Sequence, residues 1–182
     1  MSYVAEEIQV NGNKVAIIAD DCAESPNDSM DTLGTILYKK DSRYVLGYKG
    51  VESEEMQEIS RRKDVICLPV YAYIHSGVVL NTTGFSCPWD SGQSGIIYVE
   101  KEKVRKEYGK KAISKQLKEK VESVLRSEVE TFSMYLSGDV WGYVITDPDG
   151  EELEACWGFY GLDDCKEQAL IAAESYQEAI PA

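Results

Sequence analysis

The chain reads as an α+β protein: a mostly antiparallel β-sheet with one long helix, a C-terminal helix and short connecting helices. Hairpin signals stand near both ends, Asn11-Gly12 and Asp147-Pro148-Asp149-Gly150, and only a few residue combinations close such turns. β-Branched and aromatic runs fill the middle, above all residues 64–75. One long amphipathic stretch, 112–137, precedes the second hairpin. A length of 182 residues predicts a single domain, 1–182, able to bury a core without a metal or disulfides.

Residues 3–10 and 14–19 form the first hairpin, because Asn-Gly tolerates positive φ at both turn positions. Residues 20–31 are an acidic surface loop with the turn signal Ser25-Pro26-Asn27-Asp28. Short strands follow at 35–38 and 44–48, then a helix over 52–62 with Ser53 as cap and Met56 and Ile59 inward. The 64–75 run is a strand with Pro69 at an edge or bulge. Strands at 78–81 and 95–99 bracket residues 84–95, which are neither helical nor alternating. A helix over 101–108 is stopped by Gly109.

The long helix, 112–137, carries Ile113, Leu117, Val121, Val124, Val129, Phe132 and Leu136 as its buried stripe and ends at Gly138. Strands at 139–146 and 151–160 flank the second turn, and a helix over 162–179 turns Leu170, Ala173 and Tyr176 inward. Trp141 is expected in the core, whereas Trp89 and Trp157 are open between core and surface.

Net charge is −13, from 32 acids and 19 bases, which excludes a uniformly basic DNA-binding surface. The acidity belongs to the ends: residues 1–31 carry −6 and 127–182 carry −12, whereas 100–126 carry +5. A carboxylate array on a hairpin and an adjoining helix can stand in for nucleic-acid phosphates before a basic cleft. The preferred contact residues are Asp147, Asp149, Glu151, Glu152, Glu154, Asp163 and Asp164, with Asp20, Asp21, Glu24 and Asp28 as a second cluster. Lys103, Lys106, Lys110 and Lys111 are candidates for a secondary nucleic-acid contact. The spacings Lys115–Glu119, Lys118–Glu122 and Glu122–Arg126 favour a solvated helix face over the same stretch.

Residues 1–7 hold no basic and apolar leader pattern, and the 65–74 run contains Pro69 and is too short for a bilayer. A cytoplasmic protein with reduced thiols is expected, since the five cysteines are odd in number and lack C-x-x-C spacing. One histidine gives no zinc pattern, and phosphate-loop and dinucleotide fingerprints are missing, so no metal and no cofactor are expected. A cysteine enzyme would use Cys87 as nucleophile, His75 as base and Asp90 as its orienting partner. Packing of Cys87-Pro-Trp and an Asx turn at Asp90-Ser-Gly explain the same residues, so no catalytic role is assigned and a non-enzyme is expected.

The string Phe85-Ser-Cys-Pro-Trp-Asp-Ser-Gly-Gln-Ser-Gly-Ile-Ile-Tyr98 resembles that of small proteins encoded by bacterial phages and mobile elements. The likeness extends through Ser25-Pro26, Asp31-Thr-Leu-Gly34, His75-Ser-Gly77, Gly138-Asp-Val-Trp-Gly-Tyr143 and Cys156-Trp-Gly-Phe-Tyr-Gly161. Within that set the chain is similar to anti-CRISPR proteins, which block the RNA-guided DNA nuclease of type II (type II-A) systems. The resemblance implies phage counter-defence in a bacterial host cell, with the guide-RNA-loaded effector nuclease as partner and target-DNA binding or cleavage as the blocked step. It supplies no catalytic residue. Such nucleases hold nucleic acid in a positive channel, which suits an acidic DNA mimic. A nucleic-acid-binding modulator acting through 100–126 is the alternative, and the Cys87/His75 enzyme comes third.

Overall fold

The structure, a computed structural model, describes residues 3–176. The elements in chain order are β1 (Val4–Val10), β2 (Asn13–Ala19), α1 (Pro26–Ser29), β3 (Thr35–Lys39), β4 (Lys49–Val51), α2 (Ser53–Arg61) and β5 (Val65–Ile74). They continue with β6 (Val78–Asn81), β7 (Ser91–Glu100), α3 (Lys101–Glu107), α4 (Lys115–Ser137), β8 (Val140–Thr146), β9 (Glu152–Tyr160) and α5 (Leu162–Glu174). The fold is α+β, and the chain divides into two compact units: Met1–Glu24 with Gly138–Ala182, and Ser25–Ser137. Each has its own sheet.

The terminal unit is a four-stranded antiparallel sheet in the order β1-β2-β8-β9. Asn11 and Gly12 take φ of 51° and 82°, the paired left-handed conformation that the β1–β2 turn demands. At the β8–β9 turn Asp147 Oδ1 accepts the amides of Asp149 and Glu151, both at 2.9 Å, so the turn is braced by its first residue. Alternation sends Val15, Ile17, Tyr143 and Ile145 to one face, where Cys165, Ala169 and Ala173 of α5 pack on them. These small helix residues allow close approach. α5 ends at Glu174, and residues 177–179 of the expected helix lie outside the described residues.

The central unit is a five-stranded sheet in the order β4-β3-β7-β5-β6, antiparallel except for the β3–β4 pair. α4 covers one face with Val121, Leu125, Val129 and Phe132, meeting Ile66, Val70, Ile97 and Val99 among others. On the other face Leu37, Val51 and Ile96 pack with Met56 of α2.

Several local expectations shift. Residues 44–48 are not a strand; Leu46 is buried and packs, Tyr44, Val45 and Tyr48 are exposed, and the pairing passes to Lys49–Val51 beside β3. Residues 26–29 form one helical turn, capped by Ser25 Oγ on the Asn27 amide with Pro26 at its start. Glu52, not Ser53, occupies the N-cap of α2 and makes no side-chain cap bond. α4 begins at Lys115 because Ser114 Oγ accepts the Leu117 amide, and Leu125 joins its buried stripe. β7 starts at Ser91, where Ser91–Gln93 pair with Tyr71–Tyr73. Pro69 lies outside the Tyr71–Ile74 stretch that pairs with β6, and a bulge follows at Val70/Tyr71.

Candidate functional site

The division into units sorts the charge. The terminal unit holds sixteen acids against Lys14 and Lys166, a net charge of −14, whereas the central unit holds sixteen acids and seventeen bases, a net charge of +1. Both lysines of the terminal unit are engaged: Lys166 Nζ donates to both carboxylate oxygens of Glu6 at 2.8 Å, and Lys14 stands 3.5 Å from Glu7. Among the described residues these are that unit's ion pairs, so the carboxylates of its second hairpin face no cation of their own.

The β8–β9 turn and the start of α5 carry these carboxylates at opposite ends of β9, a nine-residue strand, so they form two groups separated by roughly 25–30 Å. Asp149, Glu151 and Glu152 are exposed at and beside the turn. Asp163 and Asp164 are exposed in the first turn of α5, where the helix dipole favours negative charge. Leu153 and Trp157 on β9 are exposed too, at 37% and 47%, which adds apolar anchors to a carboxylate rim. Trp157 lies across Gly142 so closely that a Cβ there would come within 2.2 Å of the indole, which explains the glycine in β8.

Two of the expected contact residues have other work. Asp147 holds the turn together through its two amide bonds. Glu154 is half-buried and accepts the phenol hydroxyls of Tyr143 at 2.5 Å and Tyr176 at 2.9 Å. Burial first, and then this carboxylate, push the Tyr143 phenol above its ordinary range; for Tyr176 the bond to Glu154 is the leading cause. Glu154 thus clamps the sheet to the segment after α5. In the second cluster Asp20 Oδ1 accepts the Cys22 amide, Asp21 and Glu24 are exposed, and Asp28 belongs to α1 of the central unit.

In the basic stretch Lys103 Nζ donates to the Thr32 carbonyl at 2.8 Å, while Lys106, Lys110 and Lys111 are exposed. Glu128 on α4 accepts the amides of Leu33 at 2.5 Å and Gly34 at 2.8 Å, which ties the Asp31–Gly34 string to the helix. Burial raises the Glu128 pKa, with the two amides acting against it. A glutamate in a polar helix pattern reads as solvated. No spacing along the chain signals its role, because its partners lie 94 and 95 residues away.

Cys87, Asp90 and His75 do come together. Asp90 Oδ2 is 3.8 Å from Cys87 Sγ and 3.7 Å from His75 Nδ1. The carboxylate stands between thiol and imidazole, whereas nucleophilic activation needs the imidazole at the sulfur. Nearby, Asn81 braces the loop by accepting the amides of Thr83 and Gly84 and donating to the Gly84 carbonyl, and Trp89 is 91% exposed. All five cysteines are free. Among the described residues, no group of histidines, cysteines and acids is arranged to hold a metal ion, and no helix is long and apolar enough to cross a membrane. No family model, curated protein or solved structure matches the chain.

Proposed function

We propose that the protein is an anti-CRISPR inhibitor of a guide-loaded type II effector nuclease, acting in the bacterial cytoplasm as an acidic mimic of target DNA. The observation that carries this reading is the concentration of sixteen acids and two engaged lysines in one compact unit. Carboxylates without internal cations favour a basic partner, and a channel lined with arginine and lysine for nucleic acid is such a partner. The turn of residues 147–150 is already ordered by Asp147, so little conformational freedom is lost when its neighbours are engaged. Asp149, Glu151, Glu152, Asp163 and Asp164 make the contact. Asp147 and Glu154 hold the surface in shape. Inhibition is stoichiometric and involves no catalysis by the inhibitor.

The test is capture of the guide-loaded nuclease on immobilised protein, with and without nuclease digestion of free nucleic acid and with target duplex as competitor. Capture that survives digestion and is displaced by duplex supports the reading. Simultaneous binding of duplex and protein without interference defeats mimicry, and capture lost on digestion favours the nucleic-acid-binding alternative through 100–126.

A further inference from the structure

The central unit carries a cleft of about 360 Å³ between α3 and the beginning of α4, lined by Lys101, Arg105, Ile113, Ser114, Lys115 and Lys118. Four of these residues are cations and none is an acid. Helix periodicity makes the arrangement. Lys101 and Arg105 are one turn apart on α3, while the intervening Val104 is fully buried beneath them. Lys115 and Lys118 are three apart on the first turn of α4. Ile113 packs on the core, and Ser114 fixes the corner by accepting the amides of Leu117 and Lys118.

The positive charge in the cleft is only partly answered. Lys115 reaches Glu119 at 3.8 Å with its side chain 91% exposed, a pairing that solvent weakens. Lys118 stands 3.4 Å from Glu122, which also serves Arg126 at 3.6 Å. Lys101 Nζ donates to the Lys63 carbonyl, and its charge is answered only by a through-space attraction to the Asp64 carboxylate, which Arg62 already engages. Arg105 is exposed and enters no ion pair among the described residues.

We infer that this cleft binds the phosphodiester backbone of a nucleic-acid strand. The cationic side chains leave the helices in two short rows, with Cβ atoms about 5–6 Å apart within each row, and their flexible stems let the charges follow successive phosphates along a strand. The cleft is open, without the enclosing donors that a single small anion needs. Arg105 offers a fork to two phosphate oxygens, and the lysines act as point charges. Binding is independent of base sequence, because contacts to phosphate carry no base information. The site lies within the basic stretch 100–126 but uses other residues than the four lysines singled out by sequence: Lys103 is turned to the Thr32 carbonyl, and Lys106, Lys110 and Lys111 do not line the cleft.

The test is fluorescence anisotropy of a short labelled single-stranded RNA with the full chain over a salt series, with duplex DNA and a poly-glutamate peptide as comparison ligands. Binding should weaken with salt at a log–log slope of roughly −2 to −3, for three or four neutralised phosphates. Arg105→Gln with Lys115→Gln and Lys118→Gln should cost at least about tenfold in affinity at low salt and take about 2 from the slope. Lys106→Gln with Lys110→Gln and Lys111→Gln, an equal loss of charge, should leave affinity within about threefold. Arg105→Glu alone, at an exposed position, should weaken binding without altering the melting temperature. Equal losses in the two triple variants, unchanged binding in the first, or equally tight binding of poly-glutamate would each overturn the inference.

Discussion

α4 presses Leu125, Val129 and Phe132 onto the central sheet, whereas α5 offers Cys165, Ala169 and Ala173 to the terminal one. The central unit is held by large side chains between well-separated layers, and the terminal unit by close approach of a small-residue helix face. Charge divides along the same line, +1 against −14. Like charges repel one another within the terminal unit, and that repulsion falls when a cationic partner arrives. One unit carries nearly balanced charge, and the other carries a large excess of carboxylates over two engaged lysines.

The largest expected effects break the comparison through packing. Phe132→Ala should cost about 3–5 kcal/mol by opening a cavity in the central core. Ala169→Leu should cost about 1–3 kcal/mol by forcing α5 off its sheet. Denaturant midpoints at unchanged slope read both. If the enlargement at Ala169 is harmless, α5 does not pack as described.

Glu128→Gln tests the acid that the central unit keeps inside. A glutamine cannot accept both the Leu33 and Gly34 amides, so a loss of about 1–3 kcal/mol is expected. The pH dependence has a definite sign. The folded-state pKa of Glu128 is raised, so the native chain holds this proton after the unfolded chain has released it. Its contribution to stability therefore falls as pH rises from the ordinary carboxylate range through the raised value. The variant should lack that segment of the pH profile, and an unchanged profile would place the titration elsewhere.

A smaller effect sharpens the electrostatic half. Cys165 is fully buried in the terminal unit, and burial pushes its thiol up to about 11. It should resist thiol reagents while the exposed Cys22 and Cys156 react. Added salt screens the repulsion of the terminal unit and should slow Cys165 labelling further. Faster labelling in salt would mean that repulsion among the carboxylates does not govern access to Cys165.

Local chemistry was legible in the sequence; long-range pairing was not. Asn11-Gly12, Asp147-Pro-Asp-Gly150 and the Gly109 stop carry their own turn geometry, and each ends or joins an element where expected. Residues 44–48 misled because β propensity is no guide to pairing: Tyr44, Val45 and Tyr48 stay exposed, Leu46 packs from an irregular segment, and the true partner of β3 is a three-residue strand with little pattern. Ser91–Ser94 joined β7 through its pairing with β5, despite polar residues that propensity assigns to a loop. At the candidate surface, exposed acids were legible by composition. The inward roles of Glu154 and Glu128 were not, since their partners lie 11 and 22 residues away in one case and 94 and 95 in the other. The cleft at Lys101 and Arg105 needed the packing of α3 against the start of α4, which spacing along the chain does not supply.

The central claim is that the terminal unit's carboxylates take the place of DNA phosphates, and one titration addresses it directly. Target-duplex binding by the guide-loaded nuclease is measured against increasing wild-type protein, against Asp149→Lys/Glu151→Lys/Glu152→Lys, and against Glu54→Lys/Glu58→Lys/Glu130→Lys, an equal reversal on exposed acids of the central unit. The account predicts that wild type and the central-unit variant displace duplex at stoichiometric protein, and that the hairpin variant, with its melting temperature retained, does not. Equal displacement by all three proteins would contradict it.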